Sequence, residues 1–207
     1  MKSELYILTI FVSLISCDSK VSEKKSLITQ DSSKNTITID EEQIGVVYSS
    51  EVVKVWADTL IDAEKISNIS LKFEPYIYFE DFKIEQIYNG TKAQIDYNSN
   101  KIAREFRTVI TSEYSKSRVN FGGHYCFITW DCGAPCIASA LVDLIDGKVY
   151  EGLTTPLGMD FREDSRMLIA NPPDETGFYD DCNYCHPEIW IWDENTKKFN
   201  EMQPKTK

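Results

Sequence analysis

Alternation of hydrophobic and polar positions runs through the first part of the chain and predicts β-strands. Residues 36–40 read Thr-Ile-Thr-Ile-Asp, and residues 44–56 and 69–73 are rich in β-branched side chains. Strand side chains point alternately to the two faces of a sheet, and β-branched side chains pack well on that pleated surface. Residues 76–88 continue this character after a break at Pro75. We therefore predict extended chain in all four runs.

Residues 98–116 depart from this alternation and have the spacing of a helix. Their apolar side chains recur at intervals of three and four residues, which covers one face of an α-helix. Asn98 or Ser99 is the expected N-cap. The predicted apolar stripe consists of Ile102, Ala103, Phe106, Val109 and Ile110. The residues expected on the solvated face are Arg104, Glu105 and Lys116.

Further strands are predicted at 125–130, 138–144, 149–151, 166–170 and 188–193. Asp146-Gly147 has the composition of a tight hairpin turn, and Asn195 helps to turn the chain between Trp192 and Phe199. These strands resemble those of β-propeller blades, but the chain is too short for four blades of about 40 residues each. We predict a single domain over residues 36–207. Its fold class is α+β, mainly β: an antiparallel meander or sandwich with propeller-blade-like strands and one packed amphipathic helix.

The first 16 residues have the pattern of an export signal. Residues 5–15 form an apolar run of 11 positions, whereas a membrane-spanning helix needs about 20. A run of this length, preceded by Lys2 and the amino terminus, is typical of a secretory signal peptide. The sequence Leu14-Ile15-Ser16-Cys17 then resembles the lipobox of bacterial lipoproteins. This resemblance implies removal of residues 1–16 and acylation of Cys17, for example with palmitate, so that lipid anchors the protein to a membrane.

Residues 17–35 are polar and rich in Ser and Lys. Such a composition cannot bury enough apolar surface to order itself, so we predict a lipidated cysteine followed by a flexible tether. An ordinary signal peptide with an incidental Cys17 is the alternative. The expected location is the bacterial cell envelope, with the domain in the periplasm or at the cell surface.

Charge argues against one class of partner. The chain has 22 Lys and Arg against 33 Asp and Glu, a formal net charge of -11. Phosphate neutralisation supplies most of the affinity for nucleic acid, so we expect no nucleic-acid partner. Hydrophobic residues make up 42% of the chain, which is enough to build a core.

Several short motifs between residues 95 and 170 resemble an uncharacterised family of small exported bacterial proteins. In this sequence they read ARE-FRT at 103–108, NFGGHY at 120–125, TWDCG at 129–133 with Cys136, VD at 142–143 and GKVY at 147–150. The family pattern is F-R-T, N-F-(A/G)-G-H-Y, T-W-x-C-G with a second cysteine, V-D and T-G-K-V-Y. The resemblance covers under half of the chain and implies export and a β-rich fold, with no known reaction. Asp131 stands where the family usually has Gly, so the turn is expected to differ slightly.

Five cysteines follow Cys17, and disulfides are the default in an exported domain. Cys126 shares one face of a predicted strand with His124 and Ile128, and we expect it to be a buried free thiol. The other four form a C-x3-C and a C-x2-C pair: Cys132, Cys136, Cys182 and Cys185. Long bridges between the pairs would stabilise by about 4 kcal/mol each and local bridges by about 2 kcal/mol, and sequence alone leaves the connectivity open. The family resemblance, which retains the first pair strongly, implies local bridges.

Two cofactor alternatives use the same cysteines, although we expect no cofactor. Zinc could be held by Cys132, Cys136, Cys182 and Cys185, or by three of these thiolates with His124 or His186. Residues 182–186 also match the C-x-x-C-H motif of c-type haem attachment, with His186 as the iron ligand. However, Pro187 and the strand-like alternation after it do not suit the helix that this motif usually opens.

Motifs of catalysis are missing from the sequence: it has no G-x-S-x-G, H-E-x-x-H, phosphate loop or EF-hand spacing. Acidic residues around Pro172-Pro173 predict a solvated loop rather than a calcium site: Asp174, Glu175, Asp180 and Asp181. Aromatic residues beside them are candidates for a recognition surface together with Asp174: Phe178, Tyr179 and Tyr184. We therefore predict a membrane-anchored, non-catalytic binding domain for a protein or glycan partner. The alternative is an exported redox, haem or metal protein that uses the cysteines.

Overall fold

A computed structural model describes residues 45–57 and 66–204. The predicted signal peptide, Cys17, the tether and the strand at 36–40 lie outside these residues. Within them, no helix is both long enough and apolar enough to cross a membrane. The elements are, in chain order, β1 (Val46–Ser49), β2 (Val53–Ala57), β3 (Ile66–Lys72), a 3₁₀-helix (Phe79–Phe82), α1 (Lys101–Glu105), α2 (Arg107–Lys116), β4 (Tyr125–Gly133), β5 (Cys136–Asp143), β6 (Val149–Thr155), β7 (Met159–Phe161), β8 (Met167–Ala170), β9 (Phe178–Asp180), β10 (Glu188–Asp193) and β11 (Lys198–Met202).

Three antiparallel sheets make up the described part of the chain, which confirms the predicted α+β, mainly β class. Their strand orders are β1-β2-β3-β9, β4-β5-β6 and β7-β8-β10-β11. The last sheet follows chain order except between β8 and β10, where the chain leaves to add β9 to the first sheet. The segment between β8 and β10 therefore connects two sheets, and the second disulfide lies within it.

The β4-β5-β6 sheet is covered on both faces. Along β4, Cys126 and Ile128 pack into a core beneath the helices with Ala103 and Ile110. The intervening side chains pack into an aromatic core against the β7-β8-β10-β11 sheet, with Trp192 at its centre. Successive strand residues point to opposite faces, so a continuous apolar run is the expected pattern for a strand buried on both sides.

Most predicted strands are confirmed. Residues 45–56 form two short strands, and the runs after residue 118 become β4, β5, β6, β8 and β10. The two hairpin turns are also confirmed. Gly147 has a φ of 78°, and Lys197, just after Asn195, has a φ of 53°.

The strand prediction for residues 76–88 is wrong. The chain instead forms a 3₁₀-helix, in which the Asp81 carboxylate accepts a hydrogen bond from the Tyr78 backbone N–H at 2.8 Å. The Phe79 ring is buried in a third core with Met167 and Ile189. A local side-chain bond of this kind satisfies a backbone donor that a strand would have used in a ladder.

The predicted helix forms but is interrupted at Phe106, whose backbone has φ of -108° and ψ of 27°. Ala103 and Ile110 of the predicted stripe are fully buried. The Phe106 ring lies at the surface, 4.8 Å from the Trp130 ring. The N-cap is Asn100, whose side chain accepts from the Ile102 N–H at 3.0 Å. The Ser99 hydroxyl instead accepts from the Val149 N–H at 2.9 Å and so ties the helix start to β6.

Candidate functional site

Both disulfides close short surface loops. Cys132–Cys136 closes the tip of the β4-β5 hairpin, and Cys182–Cys185 closes the loop between β9 and β10. The Cα atoms of each pair are 5.1 Å apart, a separation usual for disulfides. The structure thus has the two local disulfides, and no bridge joins one cysteine pair to the other. Asp131 lies in β4, and the positive φ of this hairpin, 119°, belongs to Gly133.

The two bridged loops are connected through the turn at residues 155–158. Ile137, next to the first disulfide, is paired with Thr155 in the β5-β6 register. On the other side, the buried side chain of Asn171 accepts from the Leu157 N–H at 3.1 Å and donates to the His186 carbonyl at 3.4 Å. We call residues 132–136, 155–158 and 182–186 the stapled edge.

Two large side chains of the stapled edge are open to solvent. Leu157 is 46% exposed and Tyr184 is 52% exposed. The disulfides limit the conformations of the loops on either side of the turn, so these side chains are held on a constrained backbone. The stapled edge can therefore offer partners an apolar contact at a low entropy cost.

The other candidate binding residues lie in different surroundings. Phe178 is buried, with the Lys54 and Lys72 ammonium groups 4.1 Å and 5.0 Å from its ring centre. This ring belongs to the core and is not available to a partner. The Asp174 carboxylate closes its own loop, because it accepts from the backbone N–H groups of Thr176 and Phe178.

Tyr179 is half-buried beside His186, with the ring centroids 5.5 Å apart. Of the three aromatic candidates, only Tyr184 has a largely exposed ring. Among the aromatic candidates, the exposed ring therefore lies at the stapled edge and not along the acidic loop. Sequence reasoning did not find Leu157, because an isolated leucine after Pro156 carries no periodic signal.

The cysteines predicted as metal or haem ligands are bonded to one another. Among residues 45–57 and 66–204, no group of three His, Cys, Asp or Glu side chains is placed to hold a metal ion. The His186 imidazole is exposed and lies 3.9 Å from Asp181. Zinc needs thiolates and haem attachment needs free thiols, so in this oxidised form the four sulfur atoms serve neither role.

Cys126 is fully buried and free. Burial raises the pKa of its thiol to about 11, against the smaller opposing effects of Ser117 and Lys92. The thiolate is the reactive form of cysteine, so this thiol is inert at neutral pH. The sequence-based prediction of a buried free cysteine is confirmed.

A polar network around Tyr125 was not predicted. The Tyr125 hydroxyl donates to Glu194 Oε2 at 2.7 Å, and Lys197 Nζ donates to both of these groups, at 2.6 Å and 2.7 Å. Beside it, His124 Nε2 lies 3.5 Å from Asp143 Oδ2. His124, Tyr125 and Asp143 belong to the NFGGHY and VD sequences at 120–125 and 142–143, and the fold brings them together with a turn about 70 residues away in sequence.

This network locks the β10-β11 turn onto the start of β4. Tyr125 is fully buried. Burial, together with the bond to Glu194, raises the pKa of its hydroxyl well above the usual range. A tyrosine that keeps its proton is a poor general base but a stable hydrogen-bond donor. We therefore assign Tyr125 a structural role.

Charge is divided unevenly along the chain. Residues 119–196 contain 14 Asp and Glu and three Lys and Arg, a formal charge of -11 that equals the charge of the whole chain. The stapled edge lies within this acidic part. Residues 92–118 contain six Lys and Arg and three Asp and Glu, a formal charge of +3. Residues 92–118 and residues 119–196 therefore carry net charges of opposite sign.

The assignment of a function depends on the structural features described above, because comparison with known proteins gives no guide. We compared the chain with protein-family models, with curated proteins and with solved structures. None of the three comparisons found a match.

Proposed function

We propose that this protein is an exported, lipid-anchored, non-catalytic binding domain of the bacterial cell envelope. The observation that carries the proposal is the pair of disulfides, whose loops are linked through the turn at residues 155–158. Disulfides persist in oxidising compartments, and exposed apolar side chains between two bridged loops are suited to recognition. The lipobox-like sequence at Cys17 supplies the anchor.

The stapled edge favours a protein partner with basic groups. Three carboxylates directly precede its bridged loops, Asp131, Asp180 and Asp181, and complementary charge speeds encounter and selects partners. Tyr184 and Leu157 would be the apolar contacts, since aromatic side chains are frequent anchors at protein interfaces. A glycan partner would draw less benefit from the negative charge.

The redox alternative has less support from the geometry. Reactive cysteines of C-x-x-C motifs have a lowered pKa, which a helix N-terminus or a neighbouring cation provides. Cys182–Cys185 lies in a loop after two aspartates, Asp180 and Asp181, and Cys185 is buried. Negative charge beside a thiol disfavours the thiolate, so this disulfide is suited to a structural role.

Substitution Cys17→Ala tests the anchor. We expect the wild-type protein in the membrane fraction and the variant in the soluble fraction, because the acyl chains provide the attachment. Intact mass should show the acyl groups on the wild type only, and the loss of four hydrogens for two disulfides in both proteins. Cys126→Ala is the matched control and should stay in the membrane fraction. Membrane retention of Cys17→Ala without acyl mass would contradict the proposal.

A photoreactive amino acid at position 184 tests whether the stapled edge contacts a partner. We expect a discrete cross-linked product in intact cells, because Tyr184 is 52% exposed at the stapled edge. The control position is Tyr78, an equally accessible tyrosine that is 56% exposed near the 3₁₀-helix. Cross-linking at 78 but not at 184 would place the interface elsewhere. An adduct at 184 that stays on the peptide after protease digestion and is removed by glycosidases would identify a glycan instead of a protein.

A further inference from the structure

A cleft of about 440 Å³ lies between residues 88–92 and the carboxyl end of α2. Its size is within the range of sites for small ligands, about 300–1,000 Å³. The charged residues that line it are all basic: Lys92, Lys116 and Arg118. Ser115 and Ser117 also line the cleft. We call this feature the basic cleft.

The location of the basic cleft is unusual for so acidic a chain. It opens in the region 92–118, which has a formal charge of +3 within a chain of -11. Concave surfaces lined by charges of one sign concentrate the field and attract ions of the opposite sign. The distribution of charge therefore favours an anion at this position.

Lys92 binds the carboxyl end of α2 and is not the main contact for a ligand in the basic cleft. Its ammonium group donates to the Ser117 carbonyl at 2.8 Å and to the Tyr114 carbonyl. These contacts offset the negative end of the α2 dipole, which would otherwise repel an anion. The positive charge of Lys92 has no carboxylate partner among the described residues.

Arg118 is the cation best placed to contact a ligand. It is exposed and makes no ion pair with any other described residue. Lys116 is 3.0 Å from Glu113, but such an exposed pair contributes little and leaves the ammonium accessible. The guanidinium group of an arginine binds carboxylate and phosphate groups through two parallel hydrogen bonds.

The opposite wall of the basic cleft is held in place. The Tyr88 N–H donates to the Gly123 carbonyl at 2.7 Å, and its hydroxyl donates to the Thr91 carbonyl at 2.9 Å. The Tyr88 ring passes so close to Gly90 that any side chain at position 90 would collide with it. The Ala93 N–H donates to the Leu144 carbonyl, which ties this wall to the end of β5. A wall fixed in this way reduces the entropy cost of binding.

We propose that the basic cleft binds a small organic anion that carries phosphate or carboxylate groups, with Arg118 as its main contact. The site is separate from the stapled edge. It does not depend on the lipid anchor or on a protein partner.

Titration calorimetry of the purified full chain in detergent tests this site. The probes are inorganic pyrophosphate, which carries phosphate groups, and citrate, which carries carboxylate groups. We expect one equivalent of at least one probe to bind. Arg118→Gln should weaken that binding about tenfold or more, because it removes a charge-assisted hydrogen-bond pair. Lys116→Gln should weaken it to a smaller extent.

Lys101→Gln is the matched control. It makes the same change of charge on the helical region, at a side chain that is 79% exposed and lies outside the cleft lining. We expect its affinity to stay within about twofold of wild type, since an exposed charge at a distance is screened by salt. Equal weakening by Lys101→Gln and Arg118→Gln would overturn the proposal, as would failure of both probes to bind at millimolar concentration. Arg118→Lys, which keeps the charge, should bind more tightly than Arg118→Gln.

Discussion

Replacing Trp192 by Ala is expected to lower the free energy of unfolding by about 3–5 kcal/mol, the cost typical of removing a large buried aromatic side chain. Trp192 is fully buried. Its ring centroid lies 5.4 Å from that of Tyr125 and 5.1 Å from that of Phe199. The side chain therefore joins the β7-β8-β10-β11 sheet to the β4-β5-β6 sheet. Since domains are stable by only about 5–15 kcal/mol, this loss would leave little margin.

Urea unfolding followed by circular dichroism measures this effect. Trp190→Ala is the matched control, because Trp190 lies in the same strand but is half-buried and bonds through its ring N–H to Glu188 at the surface. We expect a clearly smaller loss for the control. Similar losses for the two variants would mean that the contact between the sheets does not depend on the Trp192 ring.

Alkaline pH is expected to destabilise the domain steeply. Burial is the main cause that raises the pKa of Tyr114 to about 12 and that of Cys126 to about 11. Burial also raises the pKa of Tyr125 far above its usual value. In the unfolded chain these groups titrate near 10 for tyrosine and about 8.5 for cysteine. Above these values the unfolded state releases protons that the folded state still holds.

At alkaline pH the folded protein binds more protons than the unfolded chain, so its stability falls as pH rises. The stabilisation is fully present below the pKa values of the unfolded chain and is lost as pH rises toward those of the folded state. Each group then lowers the free energy of unfolding by up to about 1.4 kcal/mol per pH unit. We expect little change from pH 7 to 8, a decline from about pH 9 as Cys126 contributes, and a steeper decline above about pH 10.

Tyr125→Phe isolates the contribution of one group. At pH 7 the variant should be less stable by about 1–3 kcal/mol, because Glu194 and Lys197 lose a buried hydrogen-bond partner. Above pH 10 its free energy of unfolding should fall less steeply than that of the wild type. The difference should be up to about 1.4 kcal/mol per pH unit, because one titrating group is absent. Tyr184→Phe, at an exposed site, should follow the wild-type curve. An unchanged alkaline slope in Tyr125→Phe would show that Tyr125 titrates alike in both states.

Several features of the fold were predictable because they depend on neighbours in sequence. Residues 125–130 and 138–144 are mostly apolar, and such runs form strands buried on both faces. The turns at Gly147 and Asn195 follow from local backbone preferences. The buried thiol of Cys126 follows from its place on one face of β4.

The predictions from sequence were wrong where a local hydrogen bond or a distant contact outweighed the hydrophobic pattern. Residues 76–88 alternate like a strand, but the Asp81 side chain satisfies the backbone and Phe79 enters a core built by β8 and β10. At the helix start, Ser99 bonds to β6 and leaves the cap to Asn100. The burial of Phe79 and the bond of Ser99 to β6 were not visible in the sequence, because both depend on which elements pack together.

The sequence by itself determined the class of the fold, the positions of most strands and hairpins, and the buried, free state of Cys126, since each depends on local periodicity and composition. Only the tertiary structure decided which side chains share a site. Asn171 joins the turn at 155–158 to the second disulfide loop, Glu194 and Lys197 reach Tyr125, and Arg118 lines the same cleft as Lys92. These residues are distant in sequence and become neighbours because burial of apolar faces brings their elements together.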